Sequence, residues 1–219
     1  MWWDNKVHSS TDLTGRYLAT TSIEGTITLF TINKKANTLN KIAEIESQSQ
    51  KPIWCVKWAD PRFGTIFACC SFDHTLTIYK LEEESKAEKI FSLKHKASLN
   101  SLDFAPWGAG LRLAAVGSDG KGLLIMKEGE KFSFTEFECH GHIATSISWA
   151  PACSLKNFLN YTENPTARLL FATAGCDSKI CIWEVAKGTN LKPNGPGHSF
   201  SNNSSGGQVS GQLNRSFRC

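Results

Sequence analysis

The sequence of 219 residues is notable first for what it lacks. No apolar run approaches the ~18 residues that a membrane-spanning helix needs. The opening Met1-Trp-Trp-Asp-Asn-Lys has neither the basic start nor the apolar stretch of a secretory signal. No long block of one charge occurs. Lys and Arg number 24 against 20 Asp and Glu, a net charge of +4 spread along the chain. That is a weak argument for nucleic acid and none for a membrane surface. Gly-x-Ser-x-Gly is missing, and so is the Walker phosphate-loop spacing, which argues against two common nucleophile and nucleotide devices. With no secretory signal, the eight Cys are expected to be reduced structural thiols, most of them inside strands, as with Cys55, Cys69, Cys70, Cys176 and Cys181. The sequons at Asn160 and Asn202 are then chance matches.

What is present is a thirteen-residue cassette, four times over. It runs Leu18–Phe30, Phe67–Tyr79, Leu113–Ile125 and Phe171–Trp183. Each copy has a large apolar residue, an Ala, a run of small residues, an acidic residue in seventh place, and an alternating segment that ends in a bulky apolar residue. The period of two in Thr-Ile-Thr-Leu-Phe30, Thr-Leu-Thr-Ile-Tyr79 and Lys-Ile-Cys-Ile-Trp183 is that of a pleated strand. The cassette therefore reads as strand, tight turn capped by a carboxylate (Glu24, Asp73, Asp119, Asp177), and strand. The spacings are 49, 46 and 58 residues, the first two close to the ~40–45 of a four-stranded propeller blade. The longest holds an insertion between Pro151 and Leu169, with the Asn and Pro content of a surface loop.

Further strands flank the cassettes. Upstream, Trp54, Val56 and Trp58 alternate to one side, as do Asn100, Leu102 and Phe104, and Thr145, Ile147 and Trp149. Each set is followed by a Pro-containing turn. Downstream lie Lys41–Ile45, Lys89–Leu93 and Phe132–Phe137. Four short strands per unit make an antiparallel blade. The expected fold is all-β, with four blades at about 7–45, 50–94, 96–138 and 141–186. In the first unit Ser9 sits where the others carry Trp58, Phe104 and Trp149, so its inner strand is expected to be short or degenerate. No outer strand is expected after Trp183. Residues 187–219 hold 17 Gly, Ser and Asn among 33 and read as disordered.

The candidate site is His140, nine residues before Trp149, as His95 is nine before Phe104; Ser49 holds that place in the second unit. Only the fourth unit has a full set of His140, Thr173, Asp177 and Trp183. His, hydroxyl and Asp resemble a hydrolytic triad. The structural reading, a tether that fixes the turn, is preferred because the same places recur in units lacking the other partners. Cys139, His140, His142 and Cys153 are poor metal ligands, since zinc sites present ligands two to four residues apart and Cys139 and His140 are adjacent. Cys69-Cys70 face opposite ways, which disfavours a redox pair. Gly117–Gly122 opens a strand rather than a helix and reads as a blade turn rather than a phosphate loop. Trp2, Trp3 and Trp107 are aromatic candidates for binding anchors. No cofactor motif occurs.

Lys57–Lys80, Leu99–Gly108, Gly117–Gly120, Ile147–Ala152 and Phe171–Glu184, with Gly-Cys-Asp177 after the long insertion, resemble the Sec-thirteen family of WD-repeat proteins. The likeness covers roughly residues 7 to 186. It implies a β-propeller of six blades, of which this chain carries four in an open arc, with an N-terminus short of one strand and a passage into the tail like that of a truncated product, alternative transcript or imperfect gene model. It implies a non-catalytic scaffold in the COPII outer coat and the nuclear pore, bound to a Sec-thirty-one-like rod subunit and to scaffold nucleoporins. A partner strand set would pair with an exposed sheet edge. It implies a place on the cytosolic face of the endoplasmic reticulum, on vesicles and at the nuclear envelope. The rival readings are a related nucleoporin, a general WD-repeat peptide adaptor and, remotely, a propeller hydrolase.

Overall fold

In a computed structural model the described residues are 6–47, 50–82, 86–151, 168–186 and 191–192. They form four antiparallel sheets, none closed on itself, and divide between two compact units that meet at Phe104/Ala105. Among them no helix is long and apolar enough to cross a membrane.

The first unit holds sheet one, with β1 (Lys6–Thr11), β2 (Tyr17–Ser22), β3 (Thr26–Asn33) and β4 (Thr38–Glu46). It also holds sheet two, with β5 (Ile53–Trp58), β6 (Ile66–Ser71), β7 (Thr75–Glu82) and β8 (Lys86–Lys94), and then β9 (Leu99–Phe104). The second unit holds β10 (Arg112–Gly117), β11 (Lys121–Glu128) and β12 (Lys131–Glu138) of sheet three. Sheet four follows, with β13 (Ala144–Trp149), β14 (Arg168–Gly175), β15 (Lys179–Ala186) and β16 (Leu191–Lys192). In sheets one, two and four each strand pairs with the next in sequence.

Each cassette is the central hairpin of a sheet. In sheets one to three its first strand is made of small residues because it is buried on both faces. Ala19, Ala68 and Ala114 are wholly buried at the same place. Core formation then joins one face of a sheet to the next sheet in the same unit. Ala19, Ile27 and Leu29 of sheet one meet Val56, Trp58 and Phe67 of sheet two. Ala114, Val116 and Leu124 of sheet three meet Ile147, Trp149, Phe171 and Trp183 of sheet four. Aromatic rings carry both seams. Tyr17, Trp58, Phe67 and Tyr79 follow one another at 5.8, 5.0 and 5.2 Å between centroids. Phe137 lies 4.9 Å from Trp183, and Trp149 lies 4.8 Å from Phe171. Phe67 and Phe171 are among the largest fully buried side chains. Burying one such ring contributes roughly 1.5–3 kcal/mol.

Several expectations are corrected. β1 is neither short nor missing: it has 6 residues, as β5, β9 and β13 do. Thr11 pairs with Leu18 as Trp58 pairs with Phe67 and Trp149 with Phe171, so Thr11, not Ser9, holds the tryptophan place. The difference lies in the first turn, which is shorter than that of sheet two. There the Asp12 carboxylate accepts from the amides of Arg16 and Tyr17 (both 2.8 Å), whereas sheet two turns through a short helical stretch, Pro61–Phe63. The upstream strands also do not alternate simply. Register shifts fall between Ile53 and Cys55 and between Ala144 and Ser146. These bulges turn Trp54 and Thr145 away from the core and leave Ile53 with Val56, and Ala144 with Ile147, as the buried pairs. Leu99 and Leu102 keep the same spacing. After Trp183 an outer strand does exist, the two residues of β16, which pair with Glu184 and Val185. The insertion (152–167) and the rest of the expected disordered tail lie outside the described residues, as do Trp2 and Trp3.

Candidate functional site

The four cassette turns share one backbone form. The amides of Gly25, His74 and Gly120 donate to the carbonyls of Ser22, Ser71 and Gly117 at 3.4, 3.2 and 3.2 Å. The third turn residue has positive φ in every copy: Gly25 +83°, His74 +73°, Gly120 +75° and Ser178 +58°. This is the three-residue hairpin with a left-handed residue before the second strand. In three copies the acidic residue holds it. Asp73, Asp119 and Asp177 each accept the amide two residues on, from Thr75 (3.0 Å), Lys121 (3.2 Å) and Lys179 (3.2 Å). The first copy departs from expectation. Glu24 is exposed, and the Thr26 amide donates instead to Ser22 Oγ (3.0 Å). The extra methylene of Glu takes its carboxylate past the amide that a shorter side chain reaches. Ser22 and Ser71 hold the same cassette place, and this shared serine was the legible clue.

In sheet four the turn is tied to the interior. Trp183 Nε1 lies 3.0 Å from Thr173 Oγ1, Thr173 Oγ1 lies 3.0 Å from His140 Nε2, and His140 Nδ1 lies 2.9 Å from Asp177 Oδ1. The direction of each bond follows from the groups available. An indole N–H only donates, so Thr173 accepts from Trp183 and its own proton goes to His140 Nε2. His140 therefore carries its proton on Nδ1 and donates it to Asp177. The Gly141 amide donates to the other carboxylate oxygen (3.3 Å). Burial alone would raise the Asp177 carboxyl. The hydrogen bond from His140 and the amides of Gly141 and Lys179 outweigh it and hold the group below the ordinary carboxylate value.

The result is a staple joining the connection after β12 to β14, the hairpin turn and β15. It does not have the form of a nucleophile. Thr173 is 1% exposed, the His140 side chain is wholly buried, and the threonine oxygen is already engaged on both sides. A hydrolytic hydroxyl needs a path for substrate and donors placed where the oxyanion forms.

Among the described residues the set is not repeated. His95 is buried, and its amide donates to the His74 carbonyl (2.8 Å), but Ala115 and Ile125 hold the hydroxyl and tryptophan places of sheet three. In sheet two those places are Cys69 and Tyr79. With Asp73 and Thr77 they line a cavity of about 300 Å³ between sheets one and two. Ser49 lies outside the described residues.

The thiols sort by position. Cys55, Cys69, Cys70, Cys139 and Cys181 are free and buried. Cys176, expected in a strand, is exposed in the turn after β14. Burial pushes the thiols of Cys69 and Cys139 up to about 12. Cys139 Sγ donates to the Gly120 carbonyl (3.0 Å), and both ring nitrogens of His140 are engaged. Cys153 lies outside the described residues, among which no group of three or more His, Cys, Asp or Glu is placed to hold a metal. Trp107 is half-buried in a short helical turn, Trp107–Ala109.

Residues 131–184 match the family described as WD domain, G-beta repeat. They run from β12 through the stapled hairpin. Over longer stretches the chain is similar to protein transport protein sec13 of Aspergillus clavatus, at 32% identity over 200 residues, covering 86% of this chain and 67% of that protein. It is 33% identical to protein transport protein sec13 of Emericella nidulans over 192 residues, covering 83% and 61%. It is 32% identical to protein SEC13 homolog of Drosophila melanogaster over 183 residues, covering 80% and 50%. The chain thus spans between half and two thirds of the length of these relatives. Identity sustained over more than four fifths of the chain, rather than at the shared turn alone, means that the protein belongs to the Sec13 family of WD-repeat proteins.

Proposed function

We propose that the chain is a non-catalytic scaffold subunit of the coat that carries cargo from the endoplasmic reticulum to the Golgi, the COPII coat. The observation that carries this reading is sustained similarity to proteins named for protein transport, joined to a relay whose reactive-looking groups are buried and engaged. Its mechanism is assembly: a partner chain adds strands or a whole sheet to those of this protein. The partners are a Sec-thirty-one-like rod subunit and, at the nuclear pore, scaffold nucleoporins. The protein works on the cytosolic face of membranes, held there through the coat, and needs no cofactor.

Affinity purification of the tagged chain from its own cells tests this. Recovery with rod-forming coat or nucleoporin subunits is expected. Recovery with unrelated short peptides only would sink the scaffold reading and favour a WD-repeat adaptor. For the hydrolase alternative, Asp177→Asn is decisive: loss of an activity with unchanged melting would overturn the structural role of the relay.

A further inference from the structure

The interior of sheet two holds two thiols that neither the turn nor the relay uses. Its buried face, with Ala68, Cys70, Leu76 and Ile78 all at 0% exposure, has β9 lying against β5 and β6. On β5 Cys55 is 3% exposed. The ladder sets Cys55 directly opposite Cys70, so both side chains leave the sheet on this face. Cys69 leaves on the other, toward sheet one, which is why the sequence neighbours Cys69 and Cys70 make no pair. The Cys70 thiol donates to Cys55 Sγ, and Cys55 Sγ in turn lies 3.7 Å from the Leu102 carbonyl of β9.

Directly opposed residues of an antiparallel pair have Cα atoms about 4.5 or 5.5 Å apart. A disulfide spans about 4.4–6.8 Å between Cα atoms. Joining the two sulfurs therefore needs turned side chains but no new register. Slack is at hand, because Trp54 is the extra residue of a bulge immediately before Cys55. The two sulfurs also differ. The hydrogen bond from Cys70, and after it the Lys57 charge, hold the Cys55 thiol below the ordinary 9.0 against the effect of burial, whereas burial pushes Cys70 well above it. Cys55 is thus the readier nucleophile and Cys70 the resolving thiol.

We propose that Cys55 and Cys70 are a modification site, a dithiol that hydrogen peroxide converts to a disulfide between β5 and β6. The oxidant has to be small, because neither residue is open to a bulky reagent. The Cys55 thiolate attacks one peroxide oxygen and the O–O bond breaks, giving a sulfenic acid and a hydroxide that recovers the proton Cys55 had lost. The Cys70 sulfur then attacks the Cys55 sulfur. The S–O bond breaks, and the hydroxyl leaves with the Cys70 proton as water. Two thiols and one peroxide give one disulfide and two waters, the peroxide taking up both electrons.

The test uses the full chain with Cys153→Ser and Cys219→Ser, keeping the exposed Cys176 as the internal measure of oxidant. The native protein is treated with hydrogen peroxide, remaining thiols are alkylated in denaturant, and tryptic peptides are weighed without reduction. Lys57 and Arg62 lie between the two cysteines, so trypsin separates them. A joined peptide pair lighter by two hydrogens is expected, with loss of two alkylatable thiols per chain, Cys69 still alkylated, and dithiothreitol reversing the change. Cys69→Ala should keep the link. Cys70→Ala should abolish it and leave Cys55 as a sulfenic acid that dimedone, added with the denaturant, traps. Circular dichroism checks that each variant is folded, and fragmentation of the joined peptides assigns the bond without any variant. Oxidation of Cys176 while Cys55 and Cys70 both stay alkylatable overturns the site. A link through Cys69 or Cys176, or one that forms only in denaturant, overturns it equally.

Discussion

Thr173 joins the indole to the imidazole, accepting from Trp183 Nε1 and donating to His140 Nε2. Thr173→Val keeps the shape and removes both bonds, leaving the Trp183 indole and His140 Nε2 buried without partners. A loss of about 1–3 kcal/mol is expected, measured by denaturant unfolding. Gly175 stands against the same ring. A Cβ there would lie 2.5 Å from His140 Cγ, so Gly175→Ala must push the imidazole aside. A cost of about 1–3 kcal/mol is expected from overpacking. Stability should also follow pH in two steps. His8 accepts the Val56 amide on Nδ1 (3.4 Å); burial first, then the Lys57 charge, hold its pKa below the ordinary 6.5. The neutral ring is the one that folding favours. Its contribution is full above 6.5 and is lost as pH falls through the lower folded value. Asp177, held below 3.8, contributes fully above that value and loses its contribution as pH falls further. Thermal melts from pH 8 to 3 should show both limbs, His8→Gln removing the upper one and Asp177→Asn flattening the lower.

Among the elements, the hairpin turns give the sharpest contrasts. Ser178 occupies with φ +58° the place that Gly25 and Gly120 hold, so Ser178→Gly should relieve left-handed strain and raise stability by about 0.5–1 kcal/mol. Gly120→Ala should do the reverse and more. Its Cβ would meet the His140 carbonyl oxygen at 2.2 Å, while Gly129, also of positive φ, has nothing within 4 Å. Comparing Gly120→Ala with Gly129→Ala separates the clash from the strain common to both. The hairpins were legible in the sequence because their turn chemistry is local: a small-residue strand, an acid, a residue able to take positive φ, and an alternating strand. The relay was legible for the same reason, through the recurring interval from histidine to aromatic. Bulges were not legible, since a period of two carries no mark where one residue is skipped. The placing of Trp54 and Thr145 failed for that reason. β1 carries no tryptophan, and its place is marked only by the turn signal Asp12-Leu-Thr-Gly15 that follows it.

At the scale of the whole molecule, the burial of thiols sets how the native protein meets alkylating reagents. In a chain with Cys153→Ser and Cys219→Ser, maleimide should label Cys176 alone before unfolding. The other five should become reactive only with denaturation, as mass spectrometry can count. Rapid native labelling of Cys69 or Cys139 would show that the interior of the corresponding sheet opens. The core itself was readable from the alternation of Ile, Leu and aromatic residues. Which face of a sheet stays bare was not, because it depends on what the next stretch of chain lays over it.

That dependence sets a timetable for synthesis. Strands that pair with their sequence neighbours let sheet one finish once Glu46 has left the ribosome. Its apolar face then waits only until β5 ends at Trp58. At typical elongation rates this delay is on the order of a second. Sheets two and three are relieved just as promptly, by β9 and β13.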